Sequence, residues 1–302
     1  MTGFTGFSSA WHGSAEVPIF VRVGGNPEGP PLLLLHGFPE THAMWARVAA
    51  RLAARYALVV PDLRGYGASG KPAVDAVDDP LHALYSKRAM AEDMALLMSE
   101  LGHRRYFVAG HDRGGRVAHR LALDYPERIE RLALIDIVPT LDMYERTDMR
   151  FASWYYHWFF LIQPAPMPER LLGADPSFFL RWTLGGWGAG GLAHIEPEAM
   201  AEYERSFARA DAIHAVCEDY RASASIDLEH DRASRESGER IACDTFVLWG
   251  TNGVIGRLYD PVELWQAQCR ATVSGLALAA GHFIAEELPE ATARCLEDFF
   301  AA

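Results

Sequence analysis

The feature that most restricts the fold is a set of short, unbroken apolar runs, VPIFVRV, PLLLLHG, ALVVPDL, YFVAGHD, RLALIDI, TFVLWGT and VSGLALAAGHF, each bounded by turn residues. A strand with one face in water alternates apolar and polar residues, whereas a strand covered on both faces reads as a continuous run. Helix-like patterns separate the runs near residues 43–55, 86–101, 114–125, 261–270 and 287–301. This alternation predicts an α/β fold with a mostly parallel, doubly wound sheet. It stops between residues 140 and 240, where LDMYERTDMRFASWYYHWFFLIQPAPMPERLL and its continuation are aromatic, helical in pattern and poor in strand-like runs. The expected organisation is a core of residues 1–139 and 241–302 with an inserted helical cap, 140–240. Such a cap belongs over the carboxyl ends of the strands, where open α/β sheets bind ligands, and would shut water out of the site.

Charge narrows the choice of ligand. The 302 residues carry 28 basic and 40 acidic side chains, a net charge of -12. That balance repels nucleic acid and anionic membrane surfaces, so an anionic substrate needs locally clustered cations. The N-terminus lacks a basic segment followed by an apolar run, and no apolar stretch reaches membrane-spanning length. A soluble, cytoplasmic protein is expected. Cys217, Cys243, Cys269 and Cys295 are evenly spaced, but their neighbours share no pattern and no pair has zinc-ligand or redox spacing. No metal or organic cofactor is implied.

The segment GYGASGKP places Gly65, Gly67 and Gly70 in a dinucleotide-type spacing and nearly completes a phosphate loop. Pro72 stands where a phosphate loop needs a hydroxyl, and no acidic residue ends a strand about twenty residues later. A tight glycine-rich loop is the better reading.

More specific is VAGHDRGGRVAHR, residues 108–120. It has the small residues and the strand-to-helix setting of a nucleophile elbow, with Asp112 in place of serine. The partners of an elbow nucleophile follow it in the order acid, then histidine. His282, in LAAGHFIAEELPE after the last apolar run, has the right place for the base. Two acids compete: Asp136, ending RLALIDIVP, and Asp260, the first carboxylate after TFVLWGTNGVIG. An acid following an apolar run is well explained as a buried histidine orienter, which favours Asp136. His36 is expected to shape the HGFP loop, His111 to point away by strand alternation, and His119 to lie along the elbow helix.

Aspartate changes the chemistry. A carboxylate can displace a leaving group from saturated carbon and form an alkyl ester; His282 then activates the water that attacks the ester carbonyl. The resulting oxyanion needs two backbone donors, expected from Phe38 and Arg113. Dehalogenation and epoxide hydrolysis both fit. Arg113 and Arg116 separate them, because they occupy the first turn of the helix, where the dipole favours acids. Breaking that preference twice suggests a bound anion, a substrate carboxylate clamped by bidentate hydrogen bonds.

At these motifs the chain resembles the fluoroacetate dehalogenases, haloacetate hydrolases of the α/β-hydrolase fold. The likeness runs through PLLLLHGFPETHAMW, DLRGYGASGKP, YSKRAMAEDM, AGHDRGGRVAHRLALDYPERI, LALIDIVPT, YHWFFLIQPAPMPERLLG, CEDYRASASIDLEHD and AAGHF. It implies Asp112 as nucleophile, Asp136 and His282 as its partners, and Arg113 with Arg116 as the carboxylate clamp. It also implies halide binding by His157, Trp158 and Tyr220, a pocket lined by Trp187, a small-molecule haloacid substrate such as fluoroacetate, and a homodimer. An epoxide hydrolase would instead need two cap tyrosines donating to the epoxide oxygen and would have no use for the arginine pair. A binding protein that keeps the pocket without turnover is a remote third reading, since the full set of Asp112, Asp136 and His282 is present.

Overall fold

The structure, a computed structural model, describes residues 2–73 and 77–301. Eight strands form one sheet: β1 (Ser8–Gly13), β2 (Pro18–Gly25), β3 (Pro31–Leu35), β4 (Ala57–Pro61), β5 (Tyr106–His111), β6 (Ile129–Ile135), β7 (Asp244–Gly250) and β8 (Val273–Leu278). Their order is β1-β2-β4-β3-β5-β6-β7-β8. β1 pairs antiparallel with β2 and β2 with β4, while every later pairing is parallel.

The unbroken runs lie where both faces are covered. Leu32, Leu33, Leu34 and Leu35 on β3, and Leu132 through Ile135 on β6, are fully buried. Each such leucine or isoleucine contributes about 1.5–3 kcal/mol by leaving water. The expected helices are present as Ala46–Leu52, Lys87–Glu100, Arg113–Asp124, Pro261–Gln266 and Pro289–Ala301. Ser86 starts the second of these, its hydroxyl accepting from the Ala89 N–H at 3.1 Å.

Two differences sit at the sheet edges. β1, SSAWHG, is mostly solvent-facing and gives no apolar run, so the sequence pattern misses it. β8 reads as apolar, yet its middle residues are exposed where it ends the sheet as the last strand. Edge strands take their character from one neighbour and from water, and a burial pattern cannot announce them.

Between β6 and β7 the chain forms helices alone, eight of them, from Thr140–Glu145 to Ile226–Ser237. The chain leaves β3 toward β4 on one side and returns to β5 on the other. The sheet order therefore reverses beside β3, and the crevice at the carboxyl ends of β3 and β5 is the place such sheets offer a ligand.

Candidate active site

The crevice is built from the loops that leave those two strands. β5 ends at His111, and Asp112 turns the chain with φ 44° and ψ -113° before the helix Arg113–Asp124 begins. A side chain held in that region costs of order 1–3 kcal/mol and persists because the surroundings enforce it. Glycine makes the approach possible. A Cβ on Gly114 would lie 2.4 Å from the His36 carbonyl oxygen, and one on Gly37 would lie 2.6 Å from His111 Nδ1 and 2.8 Å from Asp112 Cβ. The loop after β3 thus packs directly on the elbow and brings the Phe38 N–H to 3.1 Å from Asp112 Oδ2. On the other side, Arg116 Nε lies 4.0 Å from Asp112 Oδ1. Burial alone would raise the Asp112 carboxyl, but the charges of His282, Arg116, His111 and Arg113 outweigh it and hold the group at about 2. Asp112 is therefore an anion at neutral pH.

His282 follows β8, and its Nε2 faces Asp112 Oδ2 at 4.0 Å, too far for a hydrogen bond. Its Nδ1 lies 2.6 Å from Asp136 Oδ2. Asp136, also left-handed at φ 51°, is fixed by the Gly250 N–H, which donates to Oδ1 at 2.9 Å. Of the two competing acids, Asp136 is the one at the histidine; Asp260 caps its own helix by accepting from the Glu263 N–H at 3.0 Å.

The arginine pair differs from its expected form. Arg113 is fully buried, and Asp219 occupies it: Nε donates to Oδ2 at 2.9 Å and Nη2 to Oδ1 at 2.6 Å, with Ser223 Oγ also 2.6 Å from Nη2. Lys87 Nζ binds Asp219 Oδ1, and the Tyr66 hydroxyl donates to Oδ2 at 2.5 Å. Arg116 is likewise held, through Nη1 to the Val138 carbonyl at 3.2 Å and Thr140 Oγ1 at 2.9 Å, and through Nη2 to Met143 Sδ at 3.2 Å. The Nε and Nη2 face of Arg113 is thus taken by Asp219, while the Nε of Arg116 stays open. Each guanidinium leaves one buried nitrogen without a hydrogen-bond partner among the described residues, Nη1 of Arg113 and Nε of Arg116. Buried N–H donors left unpaired are rare and call for a ligand or water.

The aromatic residues close around them. The Arg113 guanidinium lies 4.2 Å from the Tyr220 ring and that of Arg116 4.7 Å from the Trp158 ring. His157 stacks on Phe38 at 6.1 Å and lies 4.2 Å from Trp187 and 5.5 Å from Tyr220. Burial pushes its imidazole well below its usual range, so it is neutral, and its Nδ1 has no hydrogen-bond partner among the described residues. The six expected cap residues and arginines are thus gathered around one elbow.

Three neighbours carry no sequence signal. The Tyr155 hydroxyl lies 3.4 Å from His282 Nδ1, and burial raises that phenol well above its ordinary value, keeping it protonated. Asp219, next to Tyr220, looks like any helical acid until the fold sets Arg113 and Lys87 against it. His111, expected from strand alternation to point away, lies with its ring 4.6 Å from that of His282, its Nε2 2.9 Å from the His282 carbonyl oxygen and its Nδ1 3.0 Å from Glu40 Oε2. Burial raises Glu40 to about 8. His36 braces its loop, accepting at Nε2 from the Leu63 N–H at 3.0 Å, and His119 packs edge-on against Trp265.

The glycine-rich loop is filled by the chain itself. Asp62 Oδ2 accepts from the Ala68 N–H at 2.8 Å, and Lys71 Nζ donates to the carbonyls of Gly67 and Ser69 at 2.8 and 2.9 Å. A carboxylate thus sits where a phosphate would go. Glu169, His214 and Glu218 come together within 4.8 Å, but Arg221 Nη1 reaches both glutamates at 2.7 Å and supplies the positive charge there.

A β3–β5 crevice, an elbow between strand and helix, and a histidine–aspartate pair beyond it define a class, and the family model for the alpha/beta hydrolase fold matches residues 30–288. The chain belongs to that family. It is 44% identical over 298 residues to the fluoroacetate dehalogenase of a Burkholderia sp, covering 99% of this chain and 95% of that one. It is 30% identical to the soluble epoxide hydrolase of Corynebacterium sp. (strain C12), over 90% of this chain and 91% of the relative. Among solved structures, an alpha/beta hydrolase-type protein from Nostoc sp PCC 7120 superposes with a TM-score of 0.93 at 49% identity, covering 98% of this chain and 99% of its own. No helix among the described residues is long and apolar enough to cross a membrane.

Proposed function

We propose that the protein is a hydrolytic dehalogenase of short 2-haloacids, with fluoroacetate as the leading substrate and residues 140–240 as its cap. The observation that carries this reading is the asymmetric setting of Asp112. Oδ2 is engaged by the Phe38 N–H, while Oδ1 faces Arg116 Nε and is the free oxygen. The substrate carboxylate takes the open donors of Arg113 and Arg116, which set the adjacent carbon in line with Oδ1. Oδ1 attacks that carbon, the carbon–halogen bond breaks, and the halide leaves toward His157, Trp158 and Tyr220. Hydrogen-bond donors aimed at a departing fluoride lower the barrier most, because fluoride is a poor leaving group.

The ester is then hydrolysed. His282, oriented by Asp136, takes a proton from water, and the hydroxide adds to the Asp112 carboxyl carbon. The oxyanion at Oδ2 is met by the Phe38 and Arg113 N–H groups. The carbon–Oδ1 bond to the carboxyl breaks, the departing alkoxide takes the proton from His282, and the 2-hydroxy acid leaves. The new carboxyl group releases the second water proton, so the products are hydroxy acid, halide and one proton. One turnover in heavy-oxygen water tests this route: label enters the peptide containing Asp112, while the first glycolate carries an enzyme oxygen. Label in the first glycolate, with none in that peptide, overturns it.

Epoxide hydrolysis is the second reading, favoured by Tyr155 as a second cap tyrosine beside Tyr220 and by the Corynebacterium relative. The Tyr155 hydroxyl, however, is placed at His282 Nδ1. Halide release and diol formation measured side by side decide between them. The resemblance to the fluoroacetate dehalogenases also supports a homodimer, checked by sedimentation, and the four unpaired cysteines suit a reducing cytoplasm.

A further inference from the structure

A chain with a net charge of -12 repels an anion at long range. The arginines beside Asp112 are buried and act only once a ligand has entered. The opening that reaches His282 is a cavity of about 390 Å³ whose walls include Tyr155, Trp187, Trp182, Asn252 and Arg257. Among the described residues no carboxylate lines it, although the chain holds 40 acidic residues, and Arg257 is the one permanent cation in its lining.

Arg257 sits on the short helix Val254–Leu258 and is exposed. Among the described residues it has no ion pair or hydrogen-bond partner, and its guanidinium lies 5.8 Å from the Trp154 ring. Arg150, exposed and equally without an ionic partner, lies 5.2 Å from the same ring. Asp148, two residues away, is exposed and caps its own helix, accepting the Phe151 N–H at 2.8 Å. Arg64 is neutralised by Asp93 and Arg120 by Asp231, whereas Arg257 and Arg150 are set apart by their shared tryptophan beside the cavity rather than by the lack of an ion pair alone. Two guanidiniums without an ion pair, gathered on one tryptophan beside a cavity whose lining holds no acid, form a positive spot on a negative protein.

We infer that Arg257, with Arg150, is an anion-collecting rim that recruits the carboxylate substrate to the cavity mouth and biases entry against uncharged compounds. The choice of a haloacid as the anion rests on the function proposed above; the rim itself does not. A unit charge acting over about 8 Å of water changes the local anion concentration roughly two- to threefold, and the effect fades as salt shortens the screening length.

The test compares wild type with Arg257→Gln, Arg257→Glu and Arg150→Gln. For fluoroacetate, kcat/KM falls roughly twofold in each Gln variant and roughly sixfold in Arg257→Glu at about 10 mM ionic strength, and the differences close near 0.5 M. A loss that persists undiminished at high salt, or no loss at all, overturns the inference. A second measurement needs no turnover: quenching of tryptophan fluorescence by iodide relative to neutral acrylamide. That ratio drops in the Arg257 variants if the rim gathers anions, and an unchanged ratio overturns the rim. Should wild type release no fluoride, the dehalogenase reading fails, while the iodide ratio still decides the rim.

Discussion

Replacing His282 with glutamine separates the two chemical steps. Displacement of halide by Asp112 transfers no proton, and the groups that hold Asp112 as an anion include Arg116 and Arg113 as well as His282. Its nucleophile therefore survives the change. Ester hydrolysis does not, because in the proposed route Nε2 of His282, 4.0 Å from Asp112 Oδ2, serves as the base at the carboxyl group. The other hydroxyl near it, on Tyr155, is kept protonated by burial and accepts no proton. Loss of a positioned general base costs about 10²–10⁴ in rate, or roughly 3–5 kcal/mol on the second barrier alone. The expected result in a rapid-quench experiment is one fluoride per active site in a burst, followed by near-arrest. Intact mass then shows the enzyme heavier by a carboxymethyl group, about 58 Da for a glycolyl ester on Asp112. If fluoride release and glycolate formation fall together with no adduct, or if several turnovers continue at the original rate, the assignment of His282 to the second step is wrong.

Other consequences follow from the same contacts. Arg116→Gln removes one of the charges that outweigh the burial of Asp112. Its carboxyl, held at about 2, then titrates at higher pH, and the acid limb of the fluoride burst moves up by about one unit. The sign is that of a depressed carboxyl, ionised above its folded pKa and lost as pH falls through it, so an acid limb that stays fixed or moves down contradicts the argument. Asp219→Asn leaves Arg113 and Lys87 buried beside one another without their shared anion. A urea titration is expected to show a stability loss of about 3–5 kcal/mol, and KM for fluoroacetate rises as Arg113 loses its fixed direction. Gly37→Ala drives a Cβ to within 2.6 Å of His111 Nδ1 and 2.8 Å of Asp112 Cβ. It is expected to cost about 1–3 kcal/mol in thermal denaturation and to slow ester hydrolysis by displacing the Phe38 N–H.

What the sequence determined by itself is local. Unbroken runs such as PLLLL and RLALI require two covered faces, and GHDRGG can be read as an elbow because only small residues tolerate that turn. Chain order after Asp112 then pointed to His282 as the expected partner histidine. Tertiary structure decided every question of partnership: that Asp136 rather than Asp260 meets the histidine, that Asp219 takes most of Arg113, that Tyr155 and Glu40 join the network, and that SSAWHG closes the sheet as an edge strand. The reason is that backbone geometry imposes a pattern over a few adjacent residues, whereas a hydrogen bond between Arg113 and Asp219 joins positions 106 apart and exists only after packing has set one helix against another.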